Sequence, residues 1–205
     1  MKTVSVQIKT LPVGQLKANC YLVWDETNEA LIIDPGDDAD FIIKNILDEE
    51  LTPRLIVATH GHFDHIMAAL ELQLAFKIPF FMHEKDLFLL DRMDSSAKYF
   101  TGFDPGPSPD VDKFLKDKAE IKVGNMEFKI IYTPGHTPGC VSIYCKAKGA
   151  VFVGDLIFAD KSVGRTDFKY SSAVELSKSI RTISKLPKGT TVYPGHGVVA
   201  AISEL

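Results

Sequence analysis

Five of the chain's six histidines lie in three short, glycine-containing motifs. The motifs are THGHFDH (residues 59–65), TPGHTPG (133–139) and YPGHG (193–197). Asp155 follows Val153-Gly154 between the second and third motifs, and only His83 lies outside them. Imidazole nitrogens are common metal ligands. The chain must therefore adopt a fold that brings distant turns together around one hydrolytic site with two metals.

The composition is that of a soluble globular protein. With 45% hydrophobic and 24% charged residues, a chain of 205 residues can bury a full core without disulfides. The net charge of −4, without a basic block, argues against a nucleic-acid partner. No stretch approaches the ~20 apolar residues of a membrane span, and the N-terminus lacks a signal peptide's apolar run. We expect a cytoplasmic protein with no membrane partner.

Hydrophobic periodicity predicts an α/β chain. The predicted strands are Val4–Ile8, Cys20–Trp24, Ala30–Asp34, Leu55–Ala58, Pro79–Met82, Ala119–Val123, Met126–Tyr132, Val141–Tyr144, Ala150–Val153 and Thr191–Tyr193. The predicted helices are Ala39–Leu51, Ile66–Phe76, Glu84–Met93 and Ala173–Leu186. The histidine motifs recur at strand ends along the whole chain, so dividing the chain would break the site. We predict one domain over residues 1–205.

Three features outside the motifs have two interpretations each. Ser95–Asp112, rich in Pro, Gly, Ser and Asp, is predicted to be an irregular loop that either connects elements or covers the site. The three cysteines, without a CxxC pair, are predicted to be buried thiols, although Cys140 near His136 could be redox-sensitive. His83 is predicted to be a packing or surface residue. Asp34 could orient a ligand histidine or simply form a turn.

The first motif concentrates four potential ligands in six residues. A helix would place His60 and His62 on different faces, whereas a tight loop that Gly61 permits can direct all four inward. His60 and His62 can then face one metal while Asp64 and His65 face another. Further ligands come from the turns that follow apolar strands. These further ligands are His136, Asp155 and His196.

The ligand types indicate two divalent transition metals. Imidazole with carboxylate suits zinc, iron or manganese, and we expect zinc. Asp155 is suited to bridge the metals because a carboxylate has two oxygens. Two metals ~3.5–4 Å apart lower the pKa of a shared water and stabilise the oxyanion of a substrate. A purely structural metal is disfavoured, since structural zinc is usually enclosed by cysteines.

The motifs HGHFDH, TPGHTPG, VGD and PGHG, in this order, resemble those of the metallo-β-lactamase superfamily over nearly the whole chain. The resemblance implies an αβ/βα four-layer sandwich, with mixed sheets inside, helices outside and the site at one edge. It implies that one metal binds His60, His62 and His136. It also implies that the second binds Asp64, His65 and His196, that Asp155 bridges both, and that Asp64 has a catalytic role.

Within the superfamily the chain is most similar to the glyoxalase II group, through GDLIF (154–158) followed by GRTDF (164–168). This similarity implies hydrolysis of a small acyl thioester, possibly glutathione-linked, such as S-D-lactoylglutathione. Arg165 would bind the substrate's carboxylate in a forked geometry, unless it pairs with Asp167 at the surface. The loop Ala159–Val163 is one residue longer than usual, so Lys161 could substitute. We expect no C-terminal helical domain, because the chain ends soon after His196.

Other functions fit the motifs less closely. The strongest alternative is an iron-dependent persulfide dioxygenase, which resembles the chain at Thr133–Val141 and Gly164–Phe168. It would hold one iron through His60, His136 and Asp155. A lactonase or β-lactamase is a lesser alternative, because the commonest two-zinc β-lactamases carry cysteine at the position of Asp155. A non-enzymatic metal-binding protein is the last. The oligomeric state is not predicted.

Overall fold

Two mixed sheets account for the strands of residues 4–205, the part of the chain that the computed structural model describes. The first sheet has the order β1 (Gln7–Val13), β2 (Ala18–Trp24), β3 (Glu29–Ile33), β4 (Thr52–Val57), β5 (Phe80–Met82) and β6 (Lys113–Phe114). The second has the order β12 (Ala200–Ala201), β11 (Thr191–Pro194), β10 (Ala150–Gly154), β9 (Val141–Cys145), β8 (Met126–Tyr132) and β7 (Glu120–Val123).

Both sheets combine antiparallel and parallel pairing. Strands β1 to β3 pair antiparallel and β3 to β6 pair parallel. In the second sheet only β10 and β11 run parallel. The helices are α1 (Ala39–Asp48), α2 (Ala69–Phe76), α3 (Leu87–Leu90), α4 (Met93–Thr101) and α5 (Ala173–Ile183). Single 3₁₀ turns span Phe63–His65, Glu84–Asp86 and Ile202–Glu204. No helix within residues 4–205 is long and apolar enough to cross a membrane.

The sheets pack face to face, and helices cover their outer faces. Successive side chains of a strand point to opposite faces, so Val23 of β2 packs between the sheets while Leu22 packs beneath α1 and α2. On β10, Phe152 packs between the sheets and Val151 packs against α5. The four layers confirm the predicted αβ/βα sandwich with mixed sheets. Strand ends of both sheets meet at one edge, where the histidine motifs lie.

Three predictions from local pattern were wrong. The first strand is Gln7–Val13 rather than Val4–Ile8, because pairing with β2 continues to Val13 and buries Leu11. The predicted loop Ser95–Asp112 is helical as far as Thr101, and the predicted helix Glu84–Met93 is interrupted after α3. Met93 and Ala97, four residues apart, are buried, and the ring of Phe100 stacks on Phe63 with centroids 5.8 Å apart. Tertiary packing thus stabilises a helix that the composition disfavours.

Candidate metal centre

The seven residues predicted as metal ligands converge at the edge where the two sheets meet. Four of them follow β4, on the loop and the 3₁₀ turn that lead towards α2. The other three follow β8, β10 and β11 of the second sheet. The seven are His60, His62, Asp64, His65, His136, Asp155 and His196. The structure therefore brings together, in one place, side chains that are up to 136 positions apart in the sequence.

The first cluster consists of three imidazoles whose inner nitrogens nearly touch. His62 Nδ1 lies 3.1 Å from His60 Nε2 and 2.9 Å from His136 Nε2. The outer Nδ1 of His136 lies 2.9 Å from the carbonyl oxygen of Arg165. A carbonyl only accepts, so Nδ1 of His136 carries the proton and its Nε2 presents a lone pair to the cluster.

Tyr170 fixes the ring of His62 in the same way. Its hydroxyl lies 2.9 Å from His62 Nε2, the nitrogen that faces away from the cluster. Burial raises the pKa of Tyr170 to about 12, so the phenol stays protonated at neutral pH. When Nε2–H of His62 donates to this oxygen, Nδ1 presents its lone pair inward. Sequence analysis did not identify Tyr170, because no spacing relates it to His62.

The second cluster contains a carboxylate and two imidazoles. Asp64 Oδ2 lies 3.3 Å from His196 Nε2 and 3.8 Å from His65 Nε2. The outer Nδ1 of His196 lies 3.1 Å from the carbonyl oxygen of Leu16, and that of His65 lies 3.1 Å from Asp34 Oδ2. Both rings therefore turn Nε2 towards the cluster. Asp34 orients a histidine of the cluster, one of the two roles considered for it.

Asp155 reaches both clusters. Its Oδ2 lies 3.6 Å from His136 Nε2 in the first cluster. Its Oδ1 lies 3.6 Å from His65 Nε2 and 3.7 Å from His196 Nε2 in the second. Gly195 allows this approach, because a Cβ at that position would collide with Asp155 Oδ1 and the ring of His65. The carboxylate thus lies where a bridging ligand would be needed.

The donor set fits transition-metal ions. Four buried side-chain atoms of the described chain have no hydrogen-bond partner, and two of them, His65 Nε2 and Asp155 Oδ1, face each other in the second cluster. Buried polar atoms without partners are costly, and a bound cation would satisfy both. Each cluster also offers three ligand atoms within 4.8 Å of one another. Neutral imidazole with carboxylate suits zinc, iron or manganese.

Burial and charge act differently on the two clusters. Burial, with the neighbouring imidazoles, holds the pKa of His60 well below its usual value, and it lowers the pKa of His62 to about 3. Burial also lowers the pKa of His65, but Asp64, Asp34 and Asp155 outweigh it and raise the pKa to about 10. Burial also lowers the pKa of His196, but the hydrogen bond that His196 donates to Asp64 outweighs burial and leaves this pKa raised. The carboxylate of Asp64, beside His65, has a lowered pKa despite burial.

A buried carboxylate that sequence analysis missed connects the first and second motifs. Asp86 is fully buried and accepts hydrogen bonds from the N–H groups of Gly61 (2.9 Å) and Gly139 (2.6 Å) and from the Thr137 hydroxyl (2.6 Å). Gly139 permits this contact, because a Cβ there would collide with the carboxylate. Asp86 lies on a 3₁₀ turn in an ordinary-looking helical segment, and no local signal distinguishes it.

Asp34 supports the first motif from the other side. It ends β3 with a left-handed φ of 52°, a conformation that aspartate tolerates better than most residues. Its Oδ1 accepts from the Thr59 N–H at 2.6 Å, and its Oδ2 accepts from the Thr59 hydroxyl at 2.7 Å. The Thr59 hydroxyl oxygen lies 3.1 Å from His60 Nδ1. Asp34 therefore fixes the start of the motif as well as the ring of His65.

Two cavities flank the clusters, and both are lined in part by His136, Asp155 and Arg165. The cavity on the side of α4, which we call the α4 cavity, has a volume of about 340 Å³. Ser96 and Phe100 of α4 line it, so part of the segment once predicted to be a loop does cover the site. The second cavity, which we call the Val198 cavity because Val198 lines it, has a volume of about 610 Å³.

The two predicted substrate contacts differ in position. Arg165 lines both cavities, but its guanidinium donates two hydrogen bonds to Asp167, at 3.0 and 2.8 Å. Both side chains of this pair are more than half exposed. Lys161 is exposed, lies in a turn with φ of 69°, and does not line either cavity.

The remaining histidine and the cysteines lie outside the clusters. His83 is buried against Tyr132, with stacked rings 4.8 Å apart, as expected of a packing residue. All three cysteines are buried and free, as predicted. Cys140 accepts from the N–H of Thr137, and burial raises its pKa well above the ordinary value, which disfavours a reactive thiolate.

Comparison with known proteins agrees with this geometry. A hydroxyacylglutathione hydrolase, GloC of Haemophilus influenzae, is 34% identical over 207 residues, covering 97% of this chain and 94% of the relative. The crystal structure of the BLEG-1 B3 metallo-β-lactamase superposes with a TM-score of 0.90 at 35% identity, covering 97% of this chain and 95% of that one. The di-iron-bound form of TTHA1623 superposes with a TM-score of 0.87 at 33% identity, covering 96% of both chains.

A family model also matches most of the chain. The model described as the metallo-beta-lactamase superfamily aligns with residues 13–196. That range includes strands β2 to β11 and all seven side chains of the two clusters. The resemblance inferred from the motifs is therefore confirmed. The chain belongs to the metallo-β-lactamase superfamily.

Proposed function

We propose that this protein is a cytoplasmic metal-dependent hydrolase that cleaves small acyl thioesters of the hydroxyacylglutathione type. The observation that carries the proposal is the position of Asp155, whose two oxygens reach two separate three-residue clusters. A structural metal site needs one enclosed cluster, whereas paired, partly open clusters are typical of hydrolytic centres. The 34% identity to a hydroxyacylglutathione hydrolase over nearly the whole chain supports the thioester as substrate.

The proposal assigns each cluster to one metal. His60, His62 and His136 would bind the first metal, and Asp64, His65 and His196 the second, with Asp155 bridging. Zinc is the expected metal, and iron or manganese fits the same donors. The likeness to a di-iron-bound protein supports a pair of metals. Two metals held here would supply a water of lowered pKa and positive charge for the oxyanion of the substrate.

The side chains supply proton transfer and the geometry of the reaction. Water adds to the thioester carbonyl carbon, the C–S bond breaks, and the thiol half leaves. We assign to Asp64 the role of accepting the proton of the attacking water and passing it to the departing sulfur, because its carboxylate lies in the second cluster and also lines the α4 cavity. The outer hydrogen bonds of His62 and His136 keep their rings fixed throughout.

The two cavities fit the two halves of a thioester. They share Asp155 and Arg165, and they differ in that His62 lines only the α4 cavity and His196 lines only the Val198 cavity. A substrate with its carbonyl at the clusters would place the acyl group in one cavity and the thiol in the other. Arg165 would bind an anionic part of the substrate. Its pair with Asp167 is exposed and therefore weak, so a substrate carboxylate can replace Asp167.

The experiment is an assay of metal-loaded protein with S-D-lactoylglutathione, with release of free thiol as the readout. Samples loaded with zinc, iron or manganese are compared with a sample stripped by a chelator. We expect thiol release in at least one loaded sample and none in the stripped sample. No thioester hydrolysis with any of the three metals would reject the proposal.

Two other reactions remain as second candidates, each supported by one comparison. The 35% identity to a B3 metallo-β-lactamase favours β-lactam hydrolysis, although Asp155 stands where the commonest two-zinc enzymes carry cysteine. The di-iron form of TTHA1623 is evidence that a similar protein binds iron, the metal of the persulfide dioxygenase, although that enzyme would hold one iron rather than two. Oxygen uptake on glutathione persulfide without thioester cleavage would identify the dioxygenase. Hydrolysis of a β-lactam without thioester cleavage would identify the lactamase.

A further inference from the structure

A row of aromatic rings with an arginine at each end runs beside the α4 cavity, and Arg165, Phe168, Tyr170 and Arg92 of this row line it. The Arg165 guanidinium lies 4.7 Å from the ring centre of Phe168, which stacks on Tyr170 at 5.2 Å. Tyr170 meets the ring of Phe88 edge to face at 5.2 Å, and the Arg92 guanidinium lies 5.7 Å from Phe88. The row therefore leads from Phe168 and Tyr170, which contact the ring of His62, to the exposed residue Arg92. We call the part of the cavity beside Arg92 its outer end.

The two arginines differ in how their charge is balanced. Arg165 donates two hydrogen bonds to Asp167. Arg92 forms no ion pair with any carboxylate among residues 4–205. The carboxylates that line the α4 cavity, Asp64 and Asp155, face the two histidine clusters. Arg92 is thus the cation of this cavity, within the described chain, that is free to receive an anion.

The backbone of Arg92 is held firmly while its side chain is exposed. Its N–H donates to the Leu89 carbonyl at 3.1 Å, and its own carbonyl accepts from the Ser96 N–H at 2.9 Å and the Ser95 hydroxyl at 3.0 Å. Met93, the next residue, is 1% exposed. The guanidinium therefore starts from a fixed point on the cavity wall, and its planar fork suits a carboxylate.

The rest of the wall is largely apolar. Leu16, Phe63, Leu89 and Phe100 line the α4 cavity with the aromatic row. An apolar part of a ligand can pack here, and an anion beside Arg92 would be partly shielded from water, which strengthens the pair. Tyr170 and Phe88 separate Arg92 from His62, so the anion would lie about two aromatic rings away from the reacting carbonyl.

We infer that Arg92 is a specificity-determining residue that binds a substrate carboxylate at the outer end of the α4 cavity. The preferred substrates are thioesters whose carboxylate is separated from the reacting carbonyl by an apolar stretch. This inference rests on the proposed thioesterase function. It adds to that function a second cationic residue, besides Arg165, and a preference for thioesters that carry a carboxylate.

The test compares substrates that differ only in the carboxylate. One pair consists of glutaryl and pentanoyl thioesters of the uncharged thiol N-acetylcysteamine, and a third substrate is pentanoyl glutathione. The variants are Arg92→Gln and Arg92→Lys. The control is Arg181→Gln, which removes an exposed arginine of α5 that does not line the cavity.

We expect Arg92→Gln to lower kcat/KM by about 10-fold for a carboxylated substrate, mainly through KM, because a charge-assisted hydrogen bond is lost. The pentanoyl thioester of N-acetylcysteamine should change by less than about twofold, Arg92→Lys should lie in between, and Arg181→Gln should match the wild type. An effect on the glutaryl ester places the carboxylate on the acyl half, and an effect on the glutathione ester places it on the thiol half. Equal effects on charged and uncharged substrates, or none, would overturn the inference.

A binding measurement separates this inference from the proposed function. Thioether analogues, in which a methylene replaces the carbonyl, are prepared with and without the carboxylate and titrated calorimetrically into wild-type protein and Arg92→Gln. Weaker binding of only the carboxylated analogue supports the carboxylate subsite even if no thioester is hydrolysed. Equal binding of that analogue to both proteins, in an enzyme that does hydrolyse thioesters, overturns the subsite and leaves the function intact.

Discussion

The two halves of the metal centre differ in how they are prepared for a cation. The first half, His60, His62 and His136, is built of imidazoles alone, and the pKa values of His60 and His62 lie below the usual range. The second half contains Asp64, and the pKa values of its histidines, His65 and His196, are raised. His60 and His62 of the first half therefore offer free lone pairs at neutral pH, whereas His65 of the second half holds a proton that a metal must displace.

Two buried carboxylates support the halves to different extents, and Asp34 reaches the first half only indirectly, through Thr59 beside His60. Asp86 binds backbone and side-chain donors on either side of the first half, and it contacts none of the ligand rings directly. Asp34 bonds directly to the ring of His65 in the second half. The first half is therefore positioned mainly through its loops, and the second through a hydrogen bond to the ring of His65. Substitutions at Asp86 and Asp34 should therefore have separable effects.

The largest effect is expected where the halves meet. Asp155→Ala removes the ligand proposed to bridge both metals, so both should bind more weakly. Activity should fall by at least about 1,000-fold, since several kcal/mol of stabilisation of the transition state depend on the metals. The measurement is the rate and the metal content of each purified variant. His83→Ala, which alters a packing histidine outside the clusters, is the control, and equal losses in the two variants would contradict the bridging role.

The next largest effect should distinguish the two halves of the metal centre. Asp86→Asn places an amide N–H₂ opposite donors and should weaken metal binding in the first half by about 10- to 100-fold, as loss of outer-sphere contacts does. Asp34→Asn should weaken the second half by a similar factor and the first half less, because Asp34 contacts the ring of His65 directly and reaches His60 only through Thr59. Competition with a chelator, read by a spectroscopically visible metal such as cobalt, distinguishes one weakened site from two. Asp48→Asn, an exposed aspartate of α1 paired with Lys44, is the matched control. Uniform weakening of both sites by either variant would count against separate supports.

A third prediction concerns pH. Since the pKa of His65 is raised to about 10, the metal-free second half holds a proton at pH 7 that metal binding releases. The apparent affinity of this half should therefore rise about 10-fold per pH unit between pH 7 and 9. His60 and His62 are neutral at pH 7, and the first half should show little dependence over that range. Calorimetric titrations in buffers of different ionisation enthalpy count the released protons. Proton release from both halves alike would remove the distinction.

The same pKa affects the stability of the metal-free fold. A raised pKa means that the folded protein binds the proton more tightly than the unfolded chain. This stabilisation is complete below the ordinary histidine value of 6.5 and is lost as pH rises towards about 10. Urea unfolding of metal-free protein at pH 7 and pH 9.5 should show the lower free energy of unfolding at pH 9.5. His65→Gln should reduce that difference.

The smallest effect is expected at the shared cavity wall. Arg165→Ala should raise KM for an anionic thioester by a few-fold and leave the metal content unchanged, because the side chain is exposed and paired with Asp167. Lys161→Ala tests whether this lysine substitutes for Arg165. An unchanged KM for S-D-lactoylglutathione in both variants would reject the predicted contacts of Arg165 and Lys161.

Local sequence pattern predicted what is repeated and periodic. Most strands of both sheets were recognisable because their apolar residues alternate or run without interruption, as at Leu55–Ala58, but the two-residue strands β6 and β12 were not predicted. The seven residues of the two clusters were recognisable because histidine within glycine-containing turns is unusual and two aspartates accompany the histidines. Nothing in the pattern indicated that α4 continues to Thr101, since the burial of Met93 and Ala97 depends on partners distant in the sequence.

The supporting residues were predictable only in part. Asp34 was considered because it ends a strand in a turn. Asp86 and Tyr170 were missed, since each acts through a contact made by the tertiary fold: 51 positions separate Asp86 from Thr137, and 108 separate Tyr170 from His62. Arg165 shows the converse limit. Its motif identified the residue but left open whether it binds substrate or pairs with Asp167, two positions away, and the structure has it paired with Asp167.

The most direct test of the two-half centre is anomalous diffraction from crystals of the zinc-loaded protein, recorded above and below the zinc absorption edge. The account predicts two peaks per chain. One should be bound by His60 Nε2, His62 Nδ1 and His136 Nε2, and the other by Asp64, His65 Nε2 and His196 Nε2, with Asp155 between them. A single peak at full loading, or peaks bound by other residues, would contradict the account.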